Sequence, residues 1–176
     1  PVLLMGYLNP VEQYGVDAFF RDAARCGVDG VIVPDMPFEE YLTRYKPLYQ
    51  EYKIKPVFLV TSRTSEERIR AFDAEQPGFI YVLSSDAITG GRAQVSSSRE
   101  EFFKRLKAMN LVSRLVVGFG VTDRESFMGV TAHSSGAIVG SAFIRTLEGL
   151  PEGATQKESD ATALSSRVKS FVAEFL

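Results

Sequence analysis

Two short apolar runs in the second half of the sequence contain glycine at their ends and lead into helix-like segments. The first run, LVVGFGV at residues 115–121, reaches Gly120, and the second, GAIVGSAFI at residues 136–144, reaches Gly140 and Ser141. A glycine between a strand and a helix exposes N–H groups at the positive end of the helix dipole, which suits an anion. Two such turns in consecutive βα units form the phosphate site of many (β/α)8 barrels. The pair predicts phosphate binding; the alternative is that each glycine serves only the geometry of its turn.

Six apolar, β-branched runs alternate with helix-like segments along the chain. Four are predicted strands at residues 2–5, 28–33, 56–60 and 79–84, and the two glycine-ended runs are the fifth and sixth. Continuous apolar runs are typical of parallel strands that are covered on both faces. The alternation therefore predicts one α/β domain over residues 1–176. An open doubly wound sheet and a barrel both satisfy it, and the glycine pair favours the TIM (β/α)8 barrel.

The length of the sequence does not match a whole barrel. A complete barrel takes about 250 residues and eight βα units, whereas these 176 residues contain six. The sequence also begins with Pro1 rather than methionine and enters a strand at once. We therefore expect an N-terminally truncated barrel domain that lacks the first two βα units.

Helix boundaries are predicted from capping signals. The spacings Thr64–Glu67, Ser98–Glu101 and Thr122–Glu125 are those of capping boxes. Two further helices are predicted at residues 15–26 and 38–52, and a last one begins at Ser159 or Asp160. Residues 6–10 are predicted as the turn that closes the first strand, and residues 85–97 as a long polar loop.

The composition excludes several classes of function. The net charge is −2, so a nucleic-acid partner is not expected. No apolar run approaches the roughly 20 residues of a membrane span, so no membrane partner is expected. The chain has one cysteine and one histidine, Cys26 and His133, which disfavours a zinc site or a Ser-His-Asp triad. A single cysteine cannot form an internal disulfide, which fits a reducing compartment and predicts a cytoplasmic protein.

Several stretches together resemble the tryptophan synthase alpha chain family. No single stretch is decisive, but their order and spacing are specific, and they cover the chain from Leu3 to about Leu147. They are Leu4-Met5 with Asn9-Pro10 and Tyr14-Gly15, then residues 27–37, 78–82, 88–90, 117–121 and 136–142.

The resemblance implies a function and a set of site residues. The family cleaves indole-3-glycerol phosphate to indole and glyceraldehyde 3-phosphate by a retro-aldol reaction, and it passes indole to a beta chain that carries pyridoxal phosphate. The alpha chain itself is expected to need no cofactor. By position, the phosphate would be held by Gly90, Gly120, Gly140 and Ser141. The indole pocket would be lined by Leu4, Ile32, Leu59, Tyr81, Thr89 and Phe119.

The sequence also departs from the family pattern. The glycine that usually precedes the Val/Ile-Thr-Gly of the mobile loop is Ala87 here, and Asp86 precedes it. An acidic group near the phosphate would repel it. The family's catalytic glutamate and aspartate belong to the ends of the first two strands, and no residue of this sequence matches either. Asp35 also follows a strand, but we expect it to anchor a loop or cap a helix, so no catalytic residue is assigned.

Three functional hypotheses follow. The first is a tryptophan synthase alpha chain, a lyase whose catalytic carboxylates lie upstream of these 176 residues. The second is a phosphate-binding barrel of another class, such as a sugar-phosphate isomerase. Aromatic residues at Tyr81 and Phe119 favour the first, because they provide a surface for a ring substrate. The third is a non-catalytic module that binds a phosphate or a partner chain.

Overall fold

The sheet contains six parallel strands in the order of the sequence. A computed structural model describes residues 1–83, 92–118, 120–147 and 158–175. Each strand pairs in parallel with the next one along the chain, and the sheet curls as in a part of a TIM barrel. The expected fold class is therefore confirmed. The strands are β1 (Leu3–Met5), β2 (Gly30–Ile32), β3 (Lys55–Val60), β4 (Ile80–Leu83), β5 (Leu115–Gly118) and β6 (Gly136–Ile138).

Helices connect the successive strands and cover one face of the sheet. They are α1 (Leu8–Tyr14), α2 (Val16–Arg25), α3 (Phe38–Glu40), α4 (Lys46–Glu51), α5 (Glu66–Ala74), α6 (Arg92–Ala108), α7 (Arg124–Thr131), α8 (Ser141–Leu147) and α9 (Glu158–Phe175). A π-helical segment, Tyr41–Tyr45, joins α3 to α4, so the predicted helix at 38–52 is continuous but wider in its middle. Among the described helices, none combines the length and the hydropathy that crossing a bilayer requires.

The two faces of the sheet carry two different apolar layers. Val31, Ile80 and Val117 are buried against the helices. Because side chains alternate along a strand, the residues next to these three in each strand point to the opposite face. That face carries a smaller group, the inner cluster, made of Ile32, Val57 and Tyr81 with half-buried Leu59, Phe79, Leu83 and Ile138.

The segment after β1 differs from the prediction. Residues 6–10 were expected to form only a turn, but α1 begins at Leu8. Pro10 is compatible with this helix because the first turn of a helix does not use its N–H groups within the helix. The carboxylate of Asp35 accepts a hydrogen bond from the Leu8 N–H at 2.9 Å and so holds the start of α1. Asp35 therefore ties the loop after β2 to the start of α1, in keeping with the expected role as a loop anchor, whereas α3 has no side-chain cap and is not capped by Asp35.

The predicted helix starts are wrong by one residue at two places. Ser65, not Thr64, caps α5, and its hydroxyl accepts the Arg68 N–H at 3.2 Å. Thr64 instead accepts the Thr61 N–H through its side chain and closes the preceding turn. Asp123, not Thr122, caps α7.

A third predicted helix start, at Ser98, is wrong by a larger margin. The helix α6 already begins at Arg92, so the second half of the segment predicted as a loop is helical. Arg, Ala and Gln at residues 92–94 are good helix formers, and their propensity accounts for the earlier start.

Candidate functional site

The two glycine turns lie side by side at the carboxyl end of the sheet. β5 and β6 are neighbours, and Gly118 is paired with Ile138. Gly120 and Gly140 each follow these paired residues by two positions, so the turns leave adjacent strands at the same level. Among the described residues, no atom lies within 4 Å of a Cβ atom built at either glycine, and Gly120 has a φ of +78°. The turns thus leave open space into which a ligand can approach the backbone.

The start of α8 has the properties of an anion site. The helix begins at Ser141, and the Gly140 carbonyl accepts the Ile144 N–H at 3.0 Å. The N–H groups of the residues between them belong to the first turn, which has no acceptor within the helix. A phosphate oxygen can accept from them at the positive end of the helix dipole.

The neighbouring start of α7 is already occupied by a carboxylate. Asp123 accepts the Ser126 N–H at 2.8 Å, and the Ser126 side chain bonds back to the Asp123 N–H, which completes a capping box. The backbone N–H and then the hydroxyl of Ser126, followed by the Thr122 hydroxyl, lower the pKa of Asp123. The sequence had suggested two equivalent helix starts. The negative charge of Asp123 repels a second anion from the start of α7, so the two starts differ.

An apolar wall lies beside the glycine turns. Tyr81 on β4 is 8% exposed, and its ring crosses the backbone of Gly118 on β5. A Cβ atom at Gly118 would lie 2.2 Å from the Tyr81 ring edge and hydroxyl oxygen, so only glycine admits the ring in this position. Burial raises the pKa of the Tyr81 phenol. Sequence reasoning missed this role of Gly118, which it included only as a member of the apolar run at residues 115–121.

The structure brings together some of the residues predicted for the indole pocket. Ile32, Leu59 and Tyr81 all belong to the inner cluster. Thr89 and Phe119, and the predicted phosphate residue Gly90, lie outside the described residues.

Leu4 lies on the other face of the sheet. It pairs with Val31, whose side chain packs under the helices, whereas Met5 pairs with Ile32 of the inner cluster. Paired residues of parallel strands share a face. The placement of Leu4 in the pocket is thus not supported, and Met5 occupies the inner-face position. Side chains of a strand alternate between the two faces, so either Leu4 or its neighbours Leu3 and Met5 could face the pocket. All three residues are apolar, so the sequence does not decide between these possibilities.

Within the parts of the chain that the structure describes, no group of three His, Cys, Asp or Glu side chains is placed to hold a metal ion. His133 instead stacks on Phe103, with ring centroids 5.5 Å apart. Its ring is exposed at the surface after α7, as a residue in a surface turn would be.

The fold defines the class of protein: a parallel β/α sheet of the TIM-barrel type, with its candidate ligand groups at the carboxyl ends of the strands. The comparison with protein families is more specific. The model of the tryptophan synthase alpha chain family matches residues 1–173, and the chain belongs to this family.

Individual relatives agree with this assignment. The tryptophan synthase alpha chain of Bacteroides thetaiotaomicron is 44% identical over 163 residues, which are 92% of this chain and 64% of that protein. That of Flavobacterium johnsoniae is 42% identical over 157 residues, 89% of this chain and 62% of that protein. The chain thus spans less than two thirds of the length of these relatives.

Solved structures give the same result. The tryptophan synthase A-subunit of Pyrococcus furiosus has a TM-score of 0.75 at 27% identity, covering 99% of this chain and 66% of that chain. A tryptophan synthase structure from Mycobacterium tuberculosis has a TM-score of 0.70 at 32% identity, covering 96% of this chain and 61% of that chain.

Proposed function

We propose that this chain takes part in the cleavage of indole-3-glycerol phosphate to indole and glyceraldehyde 3-phosphate, as a lyase of tryptophan biosynthesis. One observation carries the proposal beyond family membership. An open glycine turn before the α8 N-terminus adjoins an apolar wall that contains a buried tyrosine ring. A ligand that suits both must combine an anionic group with an aromatic body, and the proposed substrate does so.

In this proposal the two ends of the substrate bind to different elements. The phosphate accepts hydrogen bonds from backbone N–H groups at Gly120, Gly140 and Ser141, and Gly90 contributes from the loop after β4. The indole ring lies against Ile32, Leu59 and Tyr81, with Thr89 and Phe119 completing the pocket. Met5 replaces Leu4 at the edge of this pocket, because it shares the inner face with Ile32.

The retro-aldol step needs two groups that the described site does not supply. A carboxylate must move a proton between the glycerol hydroxyl and indole C3, and a second acceptor must stabilise the charge that develops at the indole N–H. Asp35 does not fit either role, since its carboxylate holds the Leu8 N–H. We therefore expect the 176-residue chain alone to bind the substrate but to show no cleavage above background, because each general acid–base group contributes about 10²–10⁴-fold.

The wider setting is also proposed from the family. The partner is a beta chain in an α2β2 assembly, and pyridoxal phosphate belongs to that partner, so the alpha chain works without a cofactor. Both the reaction and the single cysteine suit the cytoplasm.

Binding of a substrate analogue tests the proposal. We expect indolepropanol phosphate to bind measurably by calorimetry, and glycerol 3-phosphate, which has no ring, to bind more weakly. Gly140→Asp places a carboxylate in the open space before α8 and should abolish binding of the analogue without unfolding the chain.

A matched control is Gly136→Asp, which adds the same charge at a strand glycine that is also open. It lies at the opposite end of β6 and should leave binding intact. Unchanged affinity in Gly140→Asp, or equal affinity for the ring-free phosphate, contradicts the proposed site.

A further inference from the structure

A second cleft opens at the other end of the sheet, where the strands begin. It has a volume of about 400 Å³ and lies between the ends of α4 and α5 and the start of β3. Lys46, Lys53 and Lys55 line it, together with Tyr49 and Glu75. Clefts of this size accommodate small organic molecules. The cleft is remote from the glycine turns, because Lys55 is the first residue of β3 and the candidate site lies beyond the last residues of the strands.

The charge in the cleft is opposite in sign to that of the chain. Among the described residues of the lining, Glu75 is the only acidic one, and Lys46 contacts it at 2.8 Å. The Tyr41 hydroxyl also donates to this carboxylate, at 3.3 Å. Glu75 is therefore already engaged by two donors from the neighbouring helical segment. The lining carries three lysines against one carboxylate, whereas the whole chain has a net charge of −2.

Lys53 and Lys55 have no carboxylate partner among the described residues. The ion pairs of the described chain include Lys46 but neither of these two lysines. Ile54, which lies between the two lysines in the sequence, is 2% exposed. Its burial fixes the backbone from which the side chains of Lys53 and Lys55 extend. Two cations on a short rigid segment fit a ligand with two acidic groups.

Tyr49 supplies a polar group that the fold does not use. Its side chain is 4% exposed, yet it lines the cleft, and within the described chain its hydroxyl has no hydrogen-bond partner. This hydroxyl is not among the buried polar atoms that lack a partner, so it keeps contact with the solvent of the cleft, where a ligand oxygen can accept a hydrogen bond from it. The rings of Tyr41 and Tyr49, with Ile54 and Pro56, give the cleft an apolar wall.

We infer that this cleft binds a small aromatic or cyclic dicarboxylate, whose ring contacts the tyrosines and whose acidic groups are bound by Lys53 and Lys55. The site is independent of the proposed lyase site. The other role open to these lysines is to stabilise the C-terminal ends of α4 and α5 through the helix dipole, which needs no ligand. Ligand binding separates the two roles.

Equilibrium dialysis with isophthalate tests the inference, because it measures binding whatever the association state of the chain. We expect saturable binding at millimolar concentration, with neutral isophthalamide binding at least tenfold more weakly. The double variant Lys53→Gln, Lys55→Gln should weaken isophthalate binding by about tenfold or more. Lys104→Gln, which removes an exposed lysine of α6, should not change it. Gly140→Asp should also leave it unchanged, which separates this site from the proposed phosphate site.

A second measurement covers the case in which the double variant does not fold. In the unmodified chain, isophthalate should slow acetylation of Lys53 and Lys55 but not of Lys104, as read by mass spectrometry. Absence of saturable binding, equal binding of the neutral amide, or equal acetylation of all three lysines with and without isophthalate overturns the inference.

Discussion

Replacing Gly118 by alanine should destabilise the chain through one identifiable contact. The new methyl group would lie 2.2 Å from two atoms of Tyr81, whereas ordinary contacts are 3.4–4 Å. The ring must therefore move by roughly 1 Å or more within a layer where Ile32 and Val57 are also buried. Overpacking of this kind typically costs about 1–3 kcal/mol, and we expect the upper half of that range because the obstructing group is a buried ring. The φ of Gly118 is not positive, so backbone strain does not contribute.

A double-mutant cycle isolates the contact. Tyr81→Leu removes the ring, and Gly118→Ala in that background should cost at least about 1 kcal/mol less than it does alone. Gly136→Ala is the matched control, since this glycine lies in the neighbouring strand and a Cβ there meets no atom of the described chain within 4 Å. It should be neutral or stabilising by about 0.4–1 kcal/mol, through the unfolded chain.

The assay is chemical denaturation of the four chains of the cycle and the control at low protein concentration. Equal free energies of unfolding for Gly118→Ala and Gly136→Ala would refute the contact. So would an unchanged cost of Gly118→Ala when Tyr81 is leucine.

Three further predictions follow from other contacts. Asp123 has a lowered pKa in the folded chain, so its contribution to stability is present above about pH 4 and is lost as the pH falls through the folded pKa. Asp123→Asn, which can still cap α7, should remove this contribution from the pH dependence of the free energy of unfolding. An unchanged loss of stability at acidic pH in the variant would contradict the prediction. Asp35→Ala should cost about 0.5–2 kcal/mol by removing the acceptor of the Leu8 N–H, and it should raise hydrogen exchange in α1; unchanged exchange there would show that the bond is not needed. Leu3, Leu4 and Met5 of β1 are 40%, 38% and 60% exposed, so we expect the 176-residue chain to self-associate, as measured by light scattering. Met5→Lys should reduce this association, whereas the control Val112→Lys should not change it. A monomer at high concentration would contradict the prediction.

The alternation of strands and helices was predictable because each strand is a local apolar run. Continuous β-branched runs such as those in β3 and β4 identify buried parallel strands without knowledge of their neighbours. The strand order then follows from chain order, since short connections place successive βα units side by side. The glycine turns were predictable for the same reason: Gly120 and Gly140 each lie in a local strand-to-helix sequence.

Helix starts were less predictable because neighbouring residues compete for the same role. Thr122 and Asp123 can both accept an N–H from the first turn, and so can Thr64 and Ser65. The residue that takes the extended backbone conformation just before the helix becomes its N-cap, and Ser65 and Asp123 take that conformation. The other member of each pair then bonds within the preceding turn or to the capping residue itself, as Thr122 does to Asp123 at 3.0 Å. The spacing rule identifies the region of the start but not this choice.

The site required information that no single segment contains. Tyr81 and Gly118 belong to different βα units, and the contact between them depends on the register that pairs Leu83 with Gly118. The face on which Leu4 lies likewise depends on its pairing with Val31 across β1 and β2. A shift by one residue would exchange Leu4 with Met5, and the sequence, apolar at both, has nothing to distinguish the two registers. In β2 the neighbouring side chains do differ in surroundings, because Val31 meets the aromatic residues of the helical layer while Ile32 meets Tyr81's cluster. Which residues of an edge strand face the pocket is thus set by its pairing with the neighbouring strand. A pocket residue predicted on such a strand can be assigned to a face only when the register of that pairing is known.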